Sequence, residues 1–138
     1  MASITNEMLI QKALDARLKA YTPYSHFKVG AALLTDDGTV FTGCNIENAG
    51  YTPTNCAERT AFFKAVSEGY RKFQKIAIVG GMENGTLDFT APCGVCRQVM
   101  REFCSDDFEI ILGITPEQYK TYTLKEMLPC GFGPDNLK

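Results

Sequence analysis

Lys75-Ile76-Ala77-Ile78-Val79-Gly80 and Phe108-Glu109-Ile110-Ile111-Leu112-Gly113-Ile114 are the stretches on which the fold turns. Both are short, largely apolar runs with little alternation, the pattern of strands covered on both faces. Between them, Pro92 precedes a helical segment from about Cys93 to Phe103. A tight turn can only reverse a chain, so two strands joined through a helix are expected to run parallel.

Outward from that unit the apolar period changes in an orderly way. Upstream, Phe27 to Thr35 and Val40 to Cys44 flank Asp36-Asp37-Gly38-Thr39. An Asp-Gly turn between two strand-like runs predicts an antiparallel hairpin. Ile10, Leu14 and Leu18, beside Leu9, Ala13 and Ala16, predict an amphipathic helix from about Thr5 to Ala20, capped by Thr5 and followed by Pro23. Asn45 to Asn55 has no sustained period and reads as a loop that starts extended. Cys56 to about Glu68 predicts a second helix, with Thr54 or Asn55 as N-cap and Gly69 as C-cap. Gly80 to Gly85 is glycine-rich without a phosphate-binding spacing, and reads as a strand-end loop. Downstream, a strand near Tyr119 to Thr123 follows its predecessor too closely for a crossover and should pair antiparallel. Thr123-Leu124-Lys125-Glu126 carries a capping box. The order α-β-β-α-β-α-β-β-α predicts an α/β fold with helices packed on a five-stranded mixed sheet. No repeat or linker interrupts it, so residues 1–138 read as one domain.

At 138 residues and 45% apolar content, the chain should bury roughly two-thirds of its unfolded surface and fold without disulfides. Fourteen basic against sixteen acidic residues give a net charge of −2. That balance argues against a nucleic-acid binder, which carries a basic footprint. The opening residues, Met1 to Glu7, lack the basic and apolar regions of a secretory signal. The longest run of apolar residues and glycine, Ile76 to Met82, is far short of the ~18 residues of a membrane helix. The expectation is a cytoplasmic protein with no membrane partner.

Six cysteines, Cys44, Cys56, Cys93, Cys96, Cys104 and Cys130, stand beside a single histidine, His26. In an unexported domain with its own core, metal binding or thiol chemistry is the better explanation than disulfides. Cys93 and Cys96 have the gap that lets two sulfurs reach one ion at about 2.3 Å. They and Cys56 open predicted helices, where unpaired N–H groups and the helix dipole favour thiolates. Three sulfurs leave a tetrahedral zinc one position short, as catalytic sites do, and Glu58 offers a carboxylate to move a proton there. Arg59 adds positive charge. Spacing alone leaves open a redox Cys-x-x-Cys pair or a structural zinc completed by Cys44, Cys104 or Cys130. Otherwise these last three read as small buried side chains, and His26 as structural. Asn45 and Glu47, two apart on an extended segment, point to the same side, where an amide beside a carboxylate suits a sugar hydroxyl. Two solvated polar residues at a strand end are the plain alternative.

The segments Pro23-Tyr24-Ser25-His26-Phe27-Lys28-Val29-Gly30-Ala31, Gly43-Cys44-Asn45-Ile46-Glu47-Asn48-Ala49, Asn55-Cys56-Ala57-Glu58-Arg59 and Pro92-Cys93-Gly94-Val95-Cys96-Arg97-Gln98 closely resemble the cytidine deaminases of the short, three-cysteine type. The resemblance runs from about residue 7 through the segment Leu128 to Pro134, nearly the whole chain. It implies a three-layer α/β/α fold with one Zn²⁺ per subunit on Cys56, Cys93 and Cys96. Glu58 is then the proton shuttle for hydrolysis of cytidine, and of deoxycytidine, to the uridine nucleoside and ammonia. It further implies that Arg59 hydrogen-bonds the ligand sulfurs, that Phe27 and Ala57 line the base pocket, and that Asn45 and Glu47 hold the ribose. Tyr51 and Phe132 match positions that reach a neighbouring subunit's site, which implies a homotetramer with shared active sites. A deaminase of a modified or antibiotic nucleoside, a nucleic-acid editor and a non-catalytic structural-zinc domain are the competing readings. Editors usually have His at the position of Cys56, and the sugar-binding pair argues for a free nucleoside.

Overall fold

A computed structural model describes residues 3–138. Helix α1 (Asn6–Arg17) starts where Thr5 Oγ1 accepts the Met8 N–H at 3.1 Å. Strands β1 (Phe27–Thr35) and β2 (Val40–Cys44) form the expected hairpin, with Leu34 opposite Val40. Its turn is tied by the Asp37 carboxylate, which accepts from the Thr35 and Thr39 hydroxyls at 2.6 and 2.8 Å. Those bonds, the Thr35 one first, hold Asp37 below the ordinary carboxylate range. Helix α2 (Ala57–Ser67) ends at Gly69, whose φ of +101° is the left-handed cap conformation. Strand β3 (Phe73–Met82) and the short β4 (Leu87–Asp88) lead to helix α3 (Gly94–Phe103). Strands β5 (Glu109–Thr115) and β6 (Gln118–Thr123) precede the short helix α4 (Leu124–Met127), which has the expected capping box between Thr123 and Glu126.

The sheet runs β2-β1-β3-β5-β6. As expected, β3 and β5 are parallel, with Ile76 opposite Ile110, and β5 and β6 are antiparallel. Alternation sorts the two cores. Ala31, Leu33, Ile76, Ile78, Ile110 and Leu112 face one side, packing with Phe62 of α2 and Met100 of α3. Ala32, Leu34, Ala77, Val79 and Ile111 face the other, under Leu9, Ile10 and Ala13 of α1. The sheet therefore lies between α1 and the α2/α3 layer.

Four expectations need correction. The sheet has six strands, because β4 pairs with Gly80 and Gly81 at the end of β3. A two-residue strand has no period to read. It can close in because a side chain on Gly81 would stand 2.9 Å from the Thr86 carbonyl. For the same reason Gly80 and Gly81 belong to β3 and only the residues after Met82 turn. Neither Thr54 nor Asn55 caps α2. Asn55 is engaged with Ile46 through its backbone, Thr54 Oγ1 accepts the Asn48 N–H, and the N-cap is Cys56 itself. Cys104 is buried and Cys44 half-buried, but Cys130 is exposed, at a φ of 58°. Among the described residues no helix is long and apolar enough to cross a membrane.

Candidate active site

Two helix starts meet at the site. Cys56 is the N-cap of α2 and Cys93 that of α3, both in extended backbone and neither making a side-chain capping bond. Their sulfurs are therefore free of the helix ends they stand on. Cys96, one turn into α3, is buried. Cys56 Sγ lies 3.7 Å from Cys93 Sγ, which lies 3.5 Å from Cys96 Sγ. All three sulfurs fall within 4.8 Å of one another, and all three cysteines are free thiols. Cys44, Cys104 and Cys130 are not in this group, so no fourth cysteine closes it among the described residues.

Arg59 Nη2 donates to Cys56 Sγ at 3.2 Å, and Arg59 Nε is buried without a hydrogen-bond partner of its own. The Cys56 thiol is shifted down, first by the neighbouring Cys96 thiol and then by the Arg59 guanidinium beside it. Cys96, beside that sulfur and buried, is shifted up. A cluster that stabilises one thiolate against two further sulfurs, on two positive helix ends and next to a guanidinium, fits a soft divalent cation. The donor set suits zinc.

Glu58, in the first turn of α2, is only 4% exposed. Burial pushes its carboxyl up to about 7; its own backbone N–H opposes the shift, while the charge on Cys56 adds to it. A cavity of about 130 Å³ opens over these groups, lined by Cys56, Ala57, Glu58 and Cys93 together with Val29, Asn45, Thr90 and Ala91. Val29, Thr90 and Ala91 escaped the sequence reading. Only their nearness to Phe27 and to Pro92-Cys93 hinted at them, since two aliphatic side chains and a lone threonine hydroxyl carry no chemical signature.

Of the remaining predicted residues only Asn45 lines this cavity; Phe27, Glu47, Tyr51 and Phe132 do not. Asn45 spends its side chain on β1, donating to the Phe27 carbonyl at 2.8 Å and accepting the Val29 N–H at 2.9 Å. Glu47 turns onto the loop before β1, accepting the Tyr24 and Ser25 N–H groups at 3.0 and 3.1 Å. Both polar ends thus turn toward the start of β1. Phe27 is half-buried. Tyr51, at a φ of 58°, is 82% exposed, and Phe132 is 58% exposed. The Phe132 carbonyl accepts from Gln98 Nε2 of α3 at 2.9 Å, which holds the tail near the helix that carries Cys93 and Cys96. His26 has a structural place, its imidazole 3.4 Å from Glu83.

Residues 3–112 match the family described as the cytidine and deoxycytidylate deaminase zinc-binding region. The chain belongs to that family. It is similar, at 48% identity over 95% of this chain and 93% of the relative, to the cytidine deaminase of Sporosarcina psychrophila. The cytidine deaminase of Halalkalibacterium halodurans is 49% identical over 95% of this chain and 96% of its own. Among solved structures, the Burkholderia pseudomallei cytidine deaminase superposes with a TM-score of 0.84 at 49% identity, covering 93% of this chain and 99% of that one. Family membership accounts for the three-layer fold, and the three-sulfur cluster that could hold a metal ion lies within the matched zinc-binding region.

Proposed function

We propose that this chain, as one domain, catalyses the hydrolytic deamination of free cytidine, the substrate in its relatives' names, and also of deoxycytidine, within the salvage of pyrimidine nucleosides. The observation that carries the reading is a buried carboxylate, Glu58, beside a three-sulfur cluster, with Glu58, Cys56 and Cys93 lining one cavity. Cys56, Cys93 and Cys96 would hold the zinc, whose chemistry as a Lewis acid is to make a water nucleophilic near neutral pH. Arg59 offsets the negative charge that three thiolates place around a divalent ion.

Glu58 carries the proton traffic. Its carboxylate takes a proton from the attacking water and passes it to ring nitrogen 3 as carbon 4 becomes tetrahedral. A second proton moves through the same carboxyl to the amino group, the carbon 4–nitrogen bond breaks, and ammonia leaves. Water enters and ammonia departs, which balances cytidine against uridine. Burial keeps this carboxyl from exchanging its proton with bulk solvent during the sequence. Ala57 and Phe27 give apolar surface to the base, while Asn45 and Glu47 address the sugar.

A cavity of about 130 Å³ falls below the ~300 Å³ at which ligand pockets usually start. Tyr51 and Phe132 stand exposed outside its lining. Both facts support a homotetramer in which neighbours complete each other's sites. The net charge of −2 supports a free nucleoside over a nucleic-acid strand, and a cytoplasmic enzyme fits reduced thiols.

Ultraviolet-monitored turnover of cytidine by zinc-loaded protein tests the assignment. Glu58→Gln should retain one zinc per chain while kcat falls at least about 10³-fold, within the range for loss of general acid–base catalysis. Unchanged turnover in that variant would remove Glu58 from the chemistry. No turnover by the native, zinc-loaded protein would refute the cytidine assignment.

A further inference from the structure

We infer that Ser25 is a positioning residue of this site, orienting the Glu47 carboxylate and tying it to the backbone of Phe27. The inference rests on reading Asn45 and Glu47 as the contacts to the nucleoside's sugar. Glu47 is held by three donors from one turn. Its Oε1 accepts the backbone N–H groups of Tyr24 at 3.0 Å and Ser25 at 3.1 Å, and its Oε2 accepts the Ser25 hydroxyl. Ser25 Oγ in turn accepts the Phe27 N–H at 3.0 Å.

A serine hydroxyl has one hydrogen and two lone pairs. Giving its hydrogen to Glu47 while accepting from Phe27 fixes the hydroxyl in both directions, so it cannot swing toward solvent without losing a partner. A carboxylate offers about four acceptor positions. Three are filled from the turn, which leaves Oε2 one lone pair to receive the hydrogen of a substrate hydroxyl. The Phe27 peptide is clamped from its other end as well, since Asn45 Nδ2 donates to the Phe27 carbonyl. A carboxylate, a hydroxyl and an amide thus form one chain of bonds along the start of β1, joining the two sugar contacts to the base-side Phe27.

The turn that presents Ser25 is itself held rigid. His26, the next residue, has a φ of 59°, a left-handed conformation that a non-glycine residue keeps only where its surroundings impose it. Those surroundings are visible on both sides of the peptide. The His26 N–H donates to the Thr22 carbonyl at 3.0 Å, and its carbonyl accepts the Glu83 N–H at 2.7 Å. A turn anchored this way transmits the position of Ser25 to Glu47.

Steady-state kinetics on cytidine and on 2′,3′-dideoxycytidine, whose sugar lacks both ring hydroxyls, separates this role from a structural one. Ser25→Ala should raise KM for cytidine about tenfold with kcat within about twofold, the scale of one hydrogen bond to a charged group. KM for the dideoxynucleoside should move less than about twofold, because that substrate has no hydroxyl for Glu47 to receive. Ser25→Thr, which keeps the hydroxyl, should restore the cytidine value. In a Glu47→Gln background, Ser25→Ala should add less than about twofold, since coupled residues are non-additive. An unchanged KM, or equal losses on both substrates with a lowered melting temperature, overturns the inference while leaving the deaminase assignment standing. Failure of the native enzyme on both nucleosides refutes that assignment and this inference with it.

Discussion

Arg59 shows how much of this site is decided by single side chains. It follows the buried Glu58 directly, and its guanidinium reaches the Cys56 sulfur at 3.2 Å. Three thiolates around a doubly charged ion carry a net negative charge, which opposes ionisation of anything bound in the fourth position. A guanidinium on a ligand sulfur draws part of that charge away, and it stays ionised at any working pH. Arg59→Ala should therefore weaken zinc retention against a chelator, or lower kcat/KM, by about 10- to 100-fold. Both quantities unchanged, by chelator competition and by turnover, would mean that the hydrogen bond to Cys56 has no part in tuning the metal. Arg59→Lys should rescue only in part, because a point charge on a flexible stem does not reproduce the planar fork.

At the scale of elements, the site depends on how closely α2 lies on the sheet. Gly43 of β2 makes that approach possible. A side chain there would stand 2.4 Å from the Ala57 carbonyl and 2.6 Å from the Ala61 nitrogen. Those are backbone atoms of the helix whose first residues follow Cys56 and include Glu58, so nothing can yield except the helix itself. Gly43→Ala should cost about 1–3 kcal/mol by the usual scale of overpacking, and lower activity further by displacing Glu58 from the sulfurs. Gly94→Ala is the control. It opens α3 beside Cys93, has nothing within 4 Å, and should stay within about 0.5 kcal/mol of the native protein. Denaturant titration of the two variants, read beside their zinc content, checks the contrast. Equal stabilities would show that the α2–β2 contact relaxes at little cost.

Across the whole molecule, α2, which lies over the β1–β2 hairpin, and α3, the crossover between β3 and β5, share one face of the sheet, and their N-terminal ends converge at the sulfur cluster. A group of apolar and aromatic side chains stays exposed, among them Tyr24, Ile46, Tyr51, Met82, Val95 and Phe132. Tyr24, Ile46, Tyr51 and Val95 belong to the same chain segments that carry the site residues. If Tyr51 and Phe132 complete a neighbour's site, specific activity should fall on dilution in step with dissociation measured by sedimentation. Phe132→Ala should raise KM for cytidine several-fold in an intact assembly, on the scale of a lost aromatic contact. Full activity in a demonstrated monomer would place all of the catalytic apparatus within one chain.

The members of the sulfur cluster were legible in the sequence because they depend on residue type and short spacing, while their proposed use in catalysis came from the family resemblance. Cys-x-x-Cys in Cys93 and Cys96, and Cys56 two residues before Glu58, are statements about neighbours along the chain. The strand and helix order was legible for a similar reason, since burial on one or both faces leaves a period that can be read. What lay beyond the sequence were contacts between distant segments. The sixth strand has no period and exists only because Gly80 and Gly81 let β4 approach. Cys56 became the cap of α2 because Asn55 was taken by Ile46 across the loop. Asn45 and Glu47 share a side of an extended segment, yet their partners on β1 and the preceding turn come from residues 16 to 23 positions away. Hydrogen bonds at that separation are set by packing, so only the tertiary structure could assign Ser25 its place between Glu47 and Phe27.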